Sequence, residues 1–302
     1  MSLIRKITLF LLLVIALLPT LIPHPLPLRD KNFSSETIST QIPFNPEWEG
    51  RKLSEVEEHE VSKALSQPYR YLGGGGQCFS FVSSDNRYVI KFFKQRVFEI
   101  PIWINHFPIP FLICWLREKK AAKREAKRSR VFNAFKLCFD LIPAETGLLY
   151  IHLNRTDHLK RTLSFCDALG KIHMLNLDDL EFVIQRKADL AYITLDSFME
   201  KEDLERAKLA VDQLLNLNVE LYLKGFRDRD TNFRSNCGFI GTGAIVFDVG
   251  RIVYDEKIKE PEKFKQEFLK NTLKFRSYIS SRYPELLPYF DQSIIKIINN
   301  VS

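Results

Sequence analysis

The sequence predicts an α+β fold with two unequal lobes, a small lobe built on an antiparallel sheet and then a helical lobe, with an apolar helix before both. Short apolar runs separated by turn signals occur between Tyr69 and Ile184, and helical periodicity dominates from Leu204 onward. The 302 residues are 45% hydrophobic and 27% charged. This composition is sufficient for one folded domain with a full core.

The N-terminal segment is predicted to be a membrane anchor or a signal peptide. Arg5 and Lys6 precede the apolar run from Ile7 to Ile22, and no A-x-A cleavage site follows at residues 23–27. We therefore favour an uncleaved single-pass anchor at residues 1–24, with export after signal cleavage as the alternative. Residues 25–55 are predicted to be a linker, because they hold many prolines, serines and threonines without periodicity. The domain is then expected at residues 56–302, with its lobes dividing near residue 190.

The small lobe is predicted to begin with a short helix at residues 56–65 and three strands. Residues 69–81 contain a strand, the four glycines Gly73, Gly74, Gly75 and Gly76, and a second strand, and residues 87–93 form the third. Further short strands are expected within residues 148–153, 163–175 and 181–184. Residues 185–196 are expected to connect the lobes.

A helix is predicted at residues 119–139, because Phe132, Phe135 and Phe139 repeat at helical spacing. Glu125 falls close to the same face. A carboxylate on the buried face of a helix is costly unless a cation meets it, and Lys91 is the obvious candidate. Alternatively, Glu125 pairs in solvent with Arg124 or Arg128.

The second lobe is predicted to be mainly helical, with one hairpin. Residues 204–221 carry an apolar stripe, and residues 264–279 place four apolar side chains on one helix face. Gly241-Thr242-Gly243 is a hairpin signal, and the strand that follows it ends on Asp248.

The charged and thiol residues exclude several kinds of site. The formal net charge is +7, and most of the excess lies between Arg117 and Arg130, a segment with eight Lys or Arg residues and two Glu residues. This local basic run lacks a recognised nucleic-acid-binding module, so no nucleic-acid partner is expected. The five cysteines are odd in number and form no CxxC pair, which argues against a zinc site or a disulfide framework.

The glycine run and Lys91 have the chemistry of an anion site. Glycines let backbone N–H groups approach a phosphate without steric cost. Lys91 lies in an apolar strand between Ile90 and Phe92, so its ammonium must either point outward or meet a negative charge. Asp248 directly follows another apolar strand and precedes Val249-Gly250. Such a carboxylate suits a hard cation such as magnesium.

In this order the motifs resemble the protein-kinase-like superfamily over about residues 68–290, most closely its bacterial branches that act on small molecules or lipopolysaccharide and the aminoglycoside phosphotransferases. In that superfamily a glycine loop covers the ATP phosphates, and a strand lysine binds them and pairs with a helix glutamate. The resemblance implies that Gly73–Gly76, Lys91 and Glu125 bind ATP and that Asp248 holds Mg²⁺.

The catalytic loop departs from the family pattern H-R-D-x-x-x-x-N. Phe226-Arg227-Asp228 matches its start with Phe in place of His, but the residue five positions after Asp228 is Phe233. As the residue that orients the acceptor hydroxyl we prefer Asp228, with Asp230 as the alternative.

The metal-binding asparagine of the family is also ambiguous in this loop. We prefer Asn236 to Asn232, because Asn236 begins the hairpin that leads to Asp248.

These residues predict an ATP- and Mg²⁺-dependent phosphotransferase. Only about fifty residues follow Asp248, too few for a large peptide-docking subdomain, so a hydroxyl on a small molecule, sugar or lipid headgroup is the expected acceptor. The aromatic segment from Ile100 to Leu116 precedes the basic run and favours a membrane surface, or else it packs on the small lobe. The alternative function is a catalytically inactive pseudokinase that binds a nucleotide or a partner.

Overall fold

The computed structural model describes residues 33–39, 42–99, 112–230 and 232–301. All of them belong to one unit that begins at Phe33. The predicted anchor at residues 1–24 and most of the aromatic segment 100–116 lie outside the described residues. Across the four described ranges, no helix combines the length and the apolar character that crossing a bilayer requires.

Residues 33–39 and 42–55, part of the segment 25–55 that is expected to be a linker, carry side chains that pack onto the small lobe. Phe33 is buried, with its ring centroid 4.7 Å from that of Phe81. Ile38 is fully buried, and the ring of Trp48 packs 4.9 Å from that of Phe132. These side chains are part of the core, because each is removed from water by residues of the sheet or of the helix behind it. Two helices belong to this region, α1 (Ser35–Ile38) and α2 (Glu55–Ala64).

A seven-stranded sheet forms the small lobe. Its strands are β1 (Tyr69–Gly74), β2 (Cys78–Ser83), β3 (Tyr88–Phe93), β4 (Leu148–His152), β5 (Thr162–Cys166), β6 (Ile172–Asn176) and β7 (Phe182–Arg186). Their order is β4-β7-β3-β2-β1-β5-β6, and all neighbours are antiparallel except β1 and β5. In the central register, Lys91 of β3 lies between Ser80 of β2 and Val183 of β7. The strands predicted from the sequence are confirmed, and the parallel pair was not expected.

One long helix, α3 (Leu112–Leu141), packs its C-terminal half against the sheet and is followed by α4 (Pro143–Thr146). Val131, Phe132, Phe135 and Phe139 are buried, and burying each such side chain contributes roughly 1.5–3 kcal/mol. Residues 117–126, in contrast, are almost entirely exposed. The predicted helix at 119–139 is therefore confirmed, but its basic N-terminal half extends away from the core.

The second lobe contains helices and short strands. The helices are α5 (Ala191–Glu200), α6 (Leu204–Leu223), α7 (Phe233–Asn236), α8 (Pro261–Arg282) and α9 (Leu287–Asn300), and the strands are β8 (Asp189–Leu190), β9 (Phe226–Asp228), β10 (Cys237–Ile240), β11 (Gly243–Val246) and β12 (Ile252–Tyr254). Strand β10 pairs with β11 in the predicted hairpin and with β8 from the connector, and β9 pairs with β12. Phe264, Phe268, Phe275 and Ile279 of α8 are all fully buried, as their spacing predicts. The mixed α+β class, with a sheet lobe followed by a helical lobe, is confirmed.

Candidate active site

A cleft of about 460 Å³ lies between the sheet lobe and the helical lobe. Its walls come from the glycine segment (Gly73–Gly76), from β2 and β3, from residues 185–190 at the end of β7 and after it, and from the loops that follow β9 and β11. Lys91, Asp230 and Asp248 all line it. The fold therefore brings the strand lysine and two of the predicted acids to one cavity.

The glycine segment closes one side of this cleft. The backbone N–H of Gly75 donates to the carbonyl of Cys78 at 3.0 Å, and Nζ of Lys94 donates to the carbonyl of Gly75 at 2.7 Å. A Cβ atom added at Gly73, Gly75 or Gly76 would meet no protein atom within 4 Å, and none of these residues has a positive φ. Neither packing nor backbone conformation thus requires glycine here. The lack of side chains leaves an open backbone along the cleft.

Lys91 extends from β3 into the cleft and is half-buried. Its Nζ donates to the carbonyl of Phe247 at 2.6 Å and lies 5.4 Å from the centroid of the Phe247 ring. Burial lowers the pKa of Lys91, while the charge of Asp248 acts to raise it. The ammonium is therefore held beside the end of the strand that carries Asp248.

Asp248 is exposed to the cleft two residues after β11, and the residues behind it are packed. Val249 is fully buried. A Cβ atom at Gly250 would lie 2.5 Å from Oε1 of Gln77, the residue directly after the glycine run. The glycine segment and the loop at residues 247–251, called here the Asp248 loop, therefore approach each other closely at Gln77 and Gly250.

The structure separates the two candidate aspartates of the catalytic loop. Asp228 ends β9 and is buried, with one carboxylate oxygen accepting the backbone N–H of Asp230 at 2.9 Å. Burial raises the pKa of Asp228 to about 6, and the nearby charges of Asp248 and Asp230 act in the same direction. Asp230 lines the cleft and pairs with Nη1 of Arg251 at 3.0 Å. Asp228, which we preferred from the sequence, is not among the residues that line the cleft.

The two candidate asparagines have different environments. Asn232 caps α7, where its Oδ1 accepts the backbone N–H of Arg234 at 3.1 Å. Asn236 is buried, and its Nδ2 donates to the carbonyl of Asp230 at 2.8 Å. Its side chain also bonds to Asp228 and thereby acts to lower the pKa of that carboxyl. Asn236 thus lies with the aspartates, whereas Asn232 serves the local helix.

The oxygen donors suit a magnesium ion that arrives with a nucleotide. In the described part of the chain, no group of three or more His, Cys, Asp or Glu side chains is arranged to hold a metal. Mg²⁺ in nucleotide sites is commonly bound by one or two carboxylates together with phosphate oxygens and water. Asp248 lines the cleft and is a donor of this kind. Asn236, the other predicted ligand, is buried and does not line the cleft, and its Oδ1 accepts a hydrogen bond from Oγ of Ser235 at 2.8 Å.

The expected pair between Glu125 and Lys91 is not formed. The Glu125 side chain is 56% exposed, and its carboxylate lies 3.8 Å from Nε of Arg128. This is the alternative pairing with Arg128, except that the Arg128 side chain is buried and not in solvent. The physical reason is the rotation of α3, which buries Arg128, Val131 and Phe132 and directs position 125 outward.

Three residues of the cleft region were not recognised from the sequence. Lys94 is buried, its ammonium lies 4.3 Å from the ring centroid of Phe79, and it supports the glycine segment. Gln77 contacts the Asp248 loop, and Arg251 pairs with Asp230. For two of them, the position in the sequence could have pointed to the cleft. Gln77 directly follows the glycines, and Arg251 directly follows the Asp248-Val249-Gly250 motif. Lys94 gives no such signal beyond its location next to β3.

Comparisons with known proteins give matches among solved structures. No protein-family model matches the chain, and no curated protein matches it. A crystal structure of WbdD gives a TM-score of 0.38 with 14% identity over 75% of this chain and 46% of the WbdD chain. Another, of the bifunctional kinase-methyltransferase WbdD, gives 0.36 with 15% identity over 74% of this chain and 44% of that one. The streptomycin–ATP–APH(2'')-IIa complex gives 0.27 with 13% identity over 83% and 91% of the two chains.

The chain spans less than half the length of the WbdD chains that it matches. Likeness at these scores does not decide an activity, which has to be inferred from the cleft itself.

Proposed function

We propose that the protein is an ATP- and Mg²⁺-dependent phosphotransferase that transfers the γ-phosphate of ATP to a hydroxyl group. The observation that carries this proposal is the position of Lys91, whose ammonium reaches across the cleft to the carbonyl before Asp248. An ammonium, an open glycine backbone and a carboxylate around one cavity form a site for a polyphosphate with its metal ion. The glycines support the same interpretation, because a Cβ atom at Gly73, Gly75 or Gly76 would meet no protein atom within 4 Å.

In this proposal each residue of the cleft has one task. The backbone of Gly73–Gly76 and the ammonium of Lys91 bind the phosphates of ATP and hold the γ-phosphate in place. The acceptor oxygen forms a bond to the γ-phosphorus while the bond between that phosphorus and the β–γ bridging oxygen breaks, and ADP leaves. The acceptor proton passes to a carboxylate of the catalytic loop. Because Asp230 lines the cleft and Asp228 is buried, we assign the acceptance of this proton to Asp230.

The remaining groups hold the metal and the loop. Asn236 and Asp248 would hold Mg²⁺, which when bound neutralises charge on the transferring phosphate. Asp228 accepts the backbone N–H of Asp230 and acts as a positioning residue for the loop.

The acceptor and the cell location are part of the proposal. We infer a small molecule, sugar or lipid headgroup as acceptor and a membrane as the location. The apolar run from Ile7 to Ile22, the aromatic segment and the exposed basic half of α3 support this inference. Cell fractionation and N-terminal sequencing of the mature protein test the location, since loss of residues 1 to about 24 would exclude an anchor.

A titration of the full-length protein with ATP and Mg²⁺ tests the proposal. We expect saturable binding, and we expect Lys91→Ala to weaken it about tenfold or more, because a charge-assisted bond to phosphate is lost. Lys208→Ala is the control, since Lys208 lies on α6 and does not line the cleft. Equal binding by the wild-type protein and Lys91→Ala would contradict the proposed nucleotide site.

One observation favours the second candidate, a pseudokinase that binds nucleotide without turnover. Asp228 is buried, and Asp230 is engaged by Arg251, so both candidate acceptors of the hydroxyl proton already have partners. An assay of ADP formation with a panel of hydroxyl acceptors distinguishes the two functions. Turnover that Asp248→Asn abolishes supports the enzyme, and nucleotide binding without turnover on any acceptor supports the pseudokinase.

A further inference from the structure

A second cavity, of about 410 Å³, adjoins the cleft at its glycine end. Gly76, Gln77 and Arg251 line both cavities. The second cavity then continues beneath α3 and along the segment that leads into β12. It is therefore the side from which a second molecule can approach a phosphate held by the glycines.

The walls of this second cavity are strongly basic. Lys127 and Arg130 come from α3, Arg229 comes from the catalytic loop, and Arg251 comes from the Asp248 loop. No Asp or Glu lines the cavity. Arg251 pairs with Asp230 at 3.0 Å, whereas the ion pairs of the described residues include none with Lys127, Arg130 or Arg229. Four cations thus share a small cavity with one carboxylate at its border.

Lys127 is half-buried, whereas Arg130, Arg229 and Arg251 are exposed, so Lys127 is the cation for which this arrangement is least favourable without an anion. Burial lowers the pKa of Lys127, and the charges of Arg124, Arg130 and Arg251 lower it further. Like charges held together repel, and a bound anion would remove that repulsion. Three of the side chains are guanidinium groups, one each from α3, the catalytic loop and the Asp248 loop. Guanidinium matches the geometry of phosphate oxygens.

We propose that this basic cavity, lined by Lys127, Arg130, Arg229 and Arg251, binds a phosphate group carried by the acceptor. The inference rests on the proposed function and specifies its acceptor class as a phosphorylated polyol. Arg251 lines both cavities and touches Asp230. An acceptor phosphate in the basic cavity therefore places a hydroxyl a few bonds away next to Asp230 and the γ-phosphate of ATP.

Binding of inorganic phosphate to the full-length protein, measured by calorimetry, tests the cavity without any need for turnover. We expect the double variant Lys127→Gln/Arg130→Gln to bind phosphate at least about tenfold more weakly, because two charge-assisted contacts are lost. Its matched control is Lys120→Gln/Lys123→Gln, which removes two charges from the same helix at residues outside the cavity. Arg130→Gln alone, at an exposed position, should show the same direction of change if the double variant proves unstable.

A third variant separates this cavity from the nucleotide cleft. Lys91→Ala should keep its affinity for inorganic phosphate, because Lys91 does not line the basic cavity. Loss of phosphate binding in Lys91→Ala with retention in Lys127→Gln/Arg130→Gln would place the phosphate in the cleft and overturn the inference. Equal phosphate binding by all variants, or none by the wild-type protein, would overturn it too.

Transfer assays with ATP and Mg²⁺ then identify the source of the phosphate. Glycerol 3-phosphate represents a soluble acceptor, vesicles of phosphatidylglycerol represent a lipid headgroup, and glycerol is the uncharged control. Preference for either phosphorylated acceptor over glycerol, lost in Lys127→Gln/Arg130→Gln, supports the inference, and equal use of glycerol contradicts it. If ATP does not bind at all, the proposed function fails, while the phosphate titration still decides the basic cavity.

Discussion

Nζ of Lys91 donates a hydrogen bond of 2.6 Å to the backbone carbonyl of Phe247, the residue directly before Asp248. The bond joins the sheet lobe to the helical lobe across the cleft, between residues 156 positions apart in sequence. An ammonium has three N–H donors, so this contact can persist while the same group binds a phosphate. The bond therefore positions Lys91 before any ligand enters.

Asp248→Asn separates metal-dependent turnover from nucleotide binding. The substitution keeps the size of the side chain but removes the charge that suits Mg²⁺. We expect ATP binding without metal to persist and Mg²⁺-dependent turnover to fall by at least about a hundredfold. Rates measured over a Mg²⁺ titration check this, with the exposed Asp157→Asn as control. Unchanged rates in Asp248→Asn would remove this residue from the metal site.

Asp230→Asn and Asp228→Asn should differ in their effects. Asp230 lines the cleft, so its variant should lose turnover about a hundredfold or more while ATP affinity and stability are kept. Asp228 is buried against the loop backbone, so its variant should change thermal stability and affect turnover through the position of Asp230. Steady-state rates and melting curves of both variants check this. A larger loss of turnover in Asp228→Asn, with stability unchanged, would show that Asp228 and not Asp230 contacts the acceptor hydroxyl.

Two glycine variants test whether the glycine segment serves a ligand. A Cβ atom at Gly238 would lie 2.4 Å from the backbone oxygen of Asp189, whereas Gly73 has open space. Gly238→Ala should therefore cost about 1–3 kcal/mol of stability, because the pairing of β10 with β8 must shift. Gly73→Ala should leave stability within about 0.5 kcal/mol and still weaken ATP binding. Denaturation curves and nucleotide titrations check this, and unchanged ATP binding in Gly73→Ala would argue against the phosphate role.

Phe33→Ala tests whether the residues before α1 belong to the domain. Phe33 is 6% exposed and packs on Phe81, so we expect a loss of about 3 kcal/mol in the free energy of unfolding. Phe44→Ala is the control, because Phe44 is 53% exposed and should change stability little. Chemical denaturation of both full-length variants measures the difference. Equal stability of the two would mean that residues 33–39 behave as a linker.

Glu181 makes stability depend on pH. The carboxyl is fully buried next to Arg128 and accepts a hydrogen bond from Nε2 of Gln95, and burial raises its pKa to about 7. Between about pH 4.5 and 7 the folded state binds more protons at this site than the unfolded state, so its contribution to stability falls as pH rises. Glu181→Gln removes this pH-dependent loss of stability.

The stability of Glu181→Gln relative to the wild-type protein should therefore increase from pH 5 to pH 8, by up to about 3 kcal/mol. Denaturant unfolding at both pH values measures the difference. Burial lowers the pKa of His152 to about 4, which makes stability rise with pH. This contribution is present in both proteins and cancels in the comparison. Parallel pH profiles of the two proteins would show that Glu181 titrates normally.

Local patterns were sufficient for much of the fold and for part of the cleft. The three strands around the glycine run, the helix at 204–221 and the hairpin before Asp248 follow from apolar periodicity and turn residues, which act over a few positions. Lys91 and Asp248 were recognised for the same reason, since Lys91 interrupts an apolar strand and Asp248 comes shortly after one. Their meeting at one cavity agrees with the order of the motifs along the chain.

Other features depend on contacts between distant segments, and only the tertiary structure decided them. The packing of α3 directs Glu125 to solvent and buries Arg128. Both residues lie near the border of the apolar face of the helix, where the spacing of apolar residues does not decide which side chain is buried. The pairing of Asp228 with Ile252 in β9 and β12 buries Asp228, while Asp230 reaches the cleft. The sequence by itself determined which residue types were available and which elements carry them. Burial and pairing between remote segments determined which of those side chains face the cleft, because these depend on the whole core.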